Sequence, residues 1–117
     1  MADPVAYRQM LDAAFLQLRQ RIARTARQFR HPDAEVQRIT AADMARYAQE
    51  LQRFVATLAQ TPEPAEPILS AELLDTYDVG CKAVARLLAE RRAPDACQLA
   101  SRLLDLMQTE LGWMPRP

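Results

Sequence analysis

Four stretches of this chain carry apolar residues at the three- and four-residue spacing of an α-helix, and each stretch is separated from the next by proline-containing sequence. Side chains at that spacing share one face of a helix, and four such faces leave water most simply by packing against one another. The first stripe, Tyr7, Leu11, Ala14, Phe15, Leu18, Ile22, Ala26 and Phe29, predicts a helix from about Pro4 to Arg30. Asp3 is placed to cap its first amides, and His31-Pro32 ends it, because the residue before a proline resists helical geometry. His31 is then positioned to cap the last carbonyls. The second stripe, Met44, Tyr47, Leu51, Phe54, Val55 and Leu58, opens at Thr40-Ala41-Ala42-Asp43, a capping-box variant, and reaches about Gln60. Residues 33–39 have a weaker pattern and add at most a short helical turn between helices one and two.

Three prolines within Thr61-Pro62-Glu63-Pro64-Ala65-Glu66-Pro67 remove backbone donors at close intervals, so this segment reads as an extended connector between two helical pairs. Ser70 is a natural N-cap for a third helix with Leu73, Leu74, Tyr77, Cys81, Val84 and Leu88 on one face. Gly80 sits at the margin of that face. A glycine inside a helix costs about 1 kcal/mol relative to alanine, which suggests close approach of a neighbouring helix or a bound chain. Ala93-Pro94-Asp95 turns the chain, and a fourth helix follows to about Leu111, closed by Gly112. Its apolar arc is double: Leu99, Leu103 and Leu106 form one seam and Ala100, Leu104, Met107 and Leu111 another. So wide an arc implies either several neighbours or a seam offered to a partner.

The expected architecture is all-α: an antiparallel four-helix bundle forming one domain over residues 1–117, with half its residues apolar and only two glycines. The 15 basic and 15 acidic side chains cancel, leaving no net field to attract nucleic acid or an anionic bilayer. Residues 1–60 carry nine Arg against six acids, and residues 61–117 six bases against nine acids, a split that suits pairing between the halves. No apolar run reaches the ~20 residues of a membrane crossing, and Met1-Ala2-Asp3-Pro4 does not open like a signal peptide, so a cytoplasmic location is expected. Cys81 and Cys97 lie on separate predicted helices without a C-x-x-C or histidine neighbour and read as packing residues.

The chemical inventory is thin. The single histidine, His31, with Asp33 and Glu35 offers three loop ligands and no fourth, which is a poor metal site. Arg24 and His31 fall at the loose limit of the Arg…His spacing in a family of small helical ribonucleases, but Arg24 lies on the polar face and a proline follows the histidine. Arg19, Arg21, Arg24, Arg27 and Arg30 spiral around the first helix without interleaved aromatics, unlike a focused nucleic-acid patch. No glycine-rich phosphate loop or nucleophile elbow is present. The reading is of no catalytic residues, no metal and no cofactor.

The order of short motifs points further. Tyr47-Ala48-Gln49-Glu50-Leu51 leads to Phe54 and Leu58, and beyond the connector come Leu73-Leu74-Asp75-Thr76-Tyr77-Asp78-Val79, Ala93-Pro94-Asp95, Leu103-Leu104-Asp105-Leu106 and Trp113. Met10-Leu11-Asp12-Ala13-Ala14-Phe15 fits the same order more loosely. This succession resembles the flagellin-specific export chaperones (FliS-like), with Val79 standing where that family carries a second tyrosine. The resemblance implies a cytoplasmic bundle that holds the helical C-terminal segment of a flagellin or other secreted filament subunit in apolar grooves and prevents premature polymerisation. The positions it marks for partner binding, together with the second seam of helix four, are Leu51, Phe54, Leu58, Tyr77, Asp78, Leu104, Met107 and Leu111. The alternative is a self-associating bundle, structural or regulatory, with the surplus seam buried in a homodimer. Either way, the excess apolar area of the second half is where a binding surface is expected.

Overall fold

A computed structural model describes residues 4–60 and 71–111. It contains α1 (Pro4–Gln28), α2 (Ala34–Ala59), α3 (Ala71–Ala89) and α4 (Ala93–Leu111). Asp3, the Thr61–Pro67 connector, Ser70, Gly112 and Trp113 lie outside the described residues, as do the side chains of Tyr7 and Leu111.

Pairwise contacts fix the topology as up-down-up-down. Phe15 meets Phe54 and Arg21 meets Glu50, so α1 and α2 run antiparallel. Ile22 meets Cys97 and Arg19 meets Asp105, so α1 and α4 do too. Gly80, midway along α3, lies against Leu103, midway along α4, so these two helices form an antiparallel hairpin. The four helices therefore form an antiparallel bundle in which α2 and α4 each pack on all three others, while α1 and α3 sit at opposite corners and do not touch. The buried stripes converge on one core containing Leu11, Ile22, Met44, Leu51, Leu58, Tyr77, Val84, Ala100, Leu104 and Met107.

Two helix starts differ from the sequence expectation. The second helix begins at Ala34, six residues before Thr40, and the residues expected to form a separate turn are its first turns. Asp33 is the cap: its carboxylate accepts from the Glu35 amide at 2.8 Å, and its carbonyl accepts the first helical bond from Gln37. Glu35 and Arg38 pair one turn apart, and the Gln37 side chain donates back to the His31 carbonyl at 2.9 Å. Thr40 is no cap. It is buried, and its hydroxyl donates to the Val36 carbonyl at 2.6 Å. Nor does the His31 ring cap α1; its Nδ1 accepts from the Asp33 amide at 3.1 Å.

The fourth helix likewise absorbs Ala93-Pro94-Asp95 as its first turn, where the proline nitrogen has no intrahelical acceptor to miss. The reversal is made by residues 90–92. Arg92 donates to the Leu87 carbonyl at 2.8 Å and Arg91 to that of Leu88 at 3.1 Å, with Arg91 at φ 60°. These are the paired bonds of a Schellman ending, made here with arginine at the left-handed position that glycine usually fills.

Candidate functional site

Where α1 and α2 run side by side, the small side chains of Ala14 and Thr57 leave a cleft of about 270 Å³ between them. Leu11, Leu18 and Phe54 form its apolar base, and Met10, itself 54 % exposed, forms one wall. Phe54 is held from behind by Phe15, ring centroids 6.0 Å apart. The polar rim consists of Gln17, Arg21, Glu50 and Arg53. Arg21 donates to Glu50 at 3.0 Å and bridges the two helices. Thr57 turns its hydroxyl back to the Arg53 carbonyl at 2.9 Å. The volume falls just below the roughly 300–1,000 Å³ of small-molecule sites, a size suited to one or two inserted side chains.

The sequence-marked positions are placed very differently from one another. Leu51, Leu58, Tyr77, Leu104 and Met107 are all at most 1 % exposed and belong to the core. Phe54 is the single member that reaches the cleft. Asp78 is half-buried and accepts an ion pair from Lys82 at 3.0 Å, and the Leu111 side chain lies outside the described residues. Among its described residues the double seam of α4 is taken up by its three neighbours, with Leu106 left substantially exposed at 39 %. The expected surplus in the second half is thus largely internal packing. The other exposed large apolar side chains fall in both halves of the chain, Met10 and Leu16 on α1, Ile39 near the start of α2, and Val79 on α3.

Of the residues that line the cleft, Phe54 alone is among the positions marked for partner binding; Met10, Ala14, Gln17, Arg21, Glu50, Arg53 and Thr57 are not. Met10 did carry a signal: it is a large apolar residue off the buried stripe of its own helix.

Tyr77 is fully buried, yet its hydroxyl has no hydrogen-bond partner among the described residues. Burial, reinforced by the nearby Glu110 carboxylate, pushes its ionisation above the usual phenol range. An unmatched buried hydroxyl costs about 1–3 kcal/mol. Tyr77→Phe is therefore expected to raise stability by about 1 kcal/mol, read as a higher midpoint in urea at unchanged slope. A lower midpoint would show that the hydroxyl has a partner after all.

The two thiols are buried and unpaired with each other. Burial raises both to about 11, helped at Cys81 by Asp78, so neither is a nucleophile at neutral pH. Cys97 donates to the Ile22 carbonyl at 3.5 Å. Among the described residues no three His, Cys, Asp or Glu side chains converge as metal ligands, and no helix is long and apolar enough to cross a membrane. No family model, curated protein or solved structure matches the chain.

Proposed function

We propose that this bundle is an adaptor of the export-chaperone type, which holds an amphipathic helix of a partner protein along the α1–α2 cleft. The observation that carries the reading is the cleft itself: among the described residues, a recess walled by the exposed Met10 lies over the buried Leu11, Leu18 and Phe54. A partner helix with apolar residues at i, i+3 and i+4 can seat one or two of them against Met10, Leu11 and Phe54. Arg21 and Arg53 outnumber Glu50 on the rim, so acidic residues beside the partner's stripe complement it. The resemblance of the motif order to flagellin-specific chaperones makes the C-terminal helix of a flagellin-type filament subunit the first candidate client.

Calorimetric titration of such a peptide is expected to give saturable binding with a negative heat-capacity change, since apolar surface leaves water. Ala14→Trp fills the cleft from an exposed helical position and is expected to weaken binding at least tenfold, about 1.4 kcal/mol, with the fold intact by circular dichroism. No heat with any helical filament-subunit peptide, or undiminished binding by the Ala14 variant, would refute this assignment.

A further inference from the structure

We propose that the outward face of α3 docks against α3 of a second copy of this chain, antiparallel and two-fold symmetric about Val79. Val79 is the most exposed of the large apolar side chains described, at 59 %, and α3 is a corner helix whose outer face no other helix covers among the described residues. Glu72, Val79 and Arg86 recur at seven-residue intervals, which places them on one stripe spanning about 21 Å at 1.5 Å per residue.

The order of charge along that stripe is what selects a second copy over another partner. Glu72 lies seven residues before Val79 and Arg86 seven residues after it, and both are exposed. A two-fold axis at Val79 reverses the stripe, so Glu72 of each copy meets Arg86 of the other and Val79 meets its own mate. One flank follows the same rule: Asp75 comes beside Lys82 of the second copy. The other flank brings Thr76 beside Ala83 of the second copy. Leu106, 39 % exposed and one turn along α4 from the Leu103 that packs on Gly80, extends that flank with apolar surface. Acids before and bases after the midpoint also suit the dipole of α3 itself, but the dipole has no use for an exposed valine midway between them. The α1–α2 cleft lies elsewhere on the bundle, so dimerisation and partner binding can fail independently.

One helix face and its flank form a small interface, at the low end of roughly 1,200 Å², so a concentration-dependent monomer–dimer equilibrium is expected. Sedimentation equilibrium of the full chain from about 1 µM to about 1 mM should resolve a dimer of micromolar order, weakened by added salt. Val79→Asp sets two like charges on the axis and should raise Kd at least about a hundredfold. Glu72→Arg and Arg86→Glu should each weaken the dimer roughly tenfold or more, because symmetry repeats the repulsion twice. Combining the two reversals restores both pairs and should return Kd to within about threefold of the parent. A chain that stays monomeric throughout, a dimer indifferent to Val79→Asp, or a double reversal no better than the singles would overturn the proposal. Since every substituted side chain is exposed, folding of each variant is expected and is checked by its helical circular dichroism.

Discussion

Leu51→Ala and Leu104→Ala are each expected to lower stability by about 3–4 kcal/mol, equivalent to roughly 12–16 °C in Tm for a domain of this size. Both side chains are at most 1 % exposed and lie on the two helices, α2 and α4, that touch every other helix. Truncation leaves a cavity that three surrounding helices cannot jointly close, so a cavity term adds to the lost transfer energy. Met10→Ala offers the contrast. Its side chain is more than half exposed on α1, and its removal should leave stability within about 0.5 kcal/mol while weakening a partner held in the α1–α2 cleft. Urea unfolding separates these outcomes directly. If Leu51 and Leu104 lined an open groove in the free protein, their truncation would weaken binding and barely move the unfolding midpoint.

That contrast marks where the sequence was informative and where it was not. The stripes identified the core of each helix, because a side chain repeated at helical spacing must be covered by something. They could not identify the cover. For α4, two seams followed from Leu103, Leu104, Leu106 and Met107, but a seam met by α3, α1 or α2 has the same composition as one kept for a partner. The arrangement is visible only once α2 and α4 are seen to approach across the bundle. The start of α2 was missed for a local reason. Asp33 follows a proline and lacks an acidic or amide residue at the third helical position, which is Val36, so Thr40 carries the stronger capping pattern in the sequence. Asp33 nevertheless satisfies the Glu35 amide, and the Glu35–Arg38 pair supports the turn that follows.

The exposed apolar residues carry the opposite lesson. Met10 and Val79 lie outside the buried stripes of their own helices, and nothing about folding the monomer requires them to be apolar. Those are the positions around which the cleft and the α3 face are built. The charge split between the halves of the chain is used in part between helices, where Arg19 of α1 meets Asp105 of α4 at 2.6 Å on the surface. The pair is solvent-exposed, so its contribution is at most about 1 kcal/mol. It orients the helices more than it holds them.

Gly80→Val is expected to destabilise the protein by about 2–3 kcal/mol, although the same change on an open helix face would be close to neutral or favourable. A β-carbon at position 80 would lie 2.5 and 2.8 Å from the two terminal carbons of Leu103 and 3.2 Å from their branch point. Three atoms of one side chain obstruct it, so Leu103 must leave its position as a unit. It has little room to do so, being only 7 % exposed between α3 and α4. The helix-propensity gain of replacing glycine, at most about 1 kcal/mol, is smaller than that repacking cost, and the valine methyls enlarge the conflict. Leu103→Ala alone should cost about 2–3 kcal/mol by leaving a cavity. Together the two changes refill the same space from the opposite helix, so the double variant should be more stable than the sum of the singles by about 1–3 kcal/mol. A double-mutant cycle in urea measures that coupling. Strict additivity would mean that α3 and α4 do not meet at Gly80, and with that contact would go the placement of Leu106 beside the Val79 face.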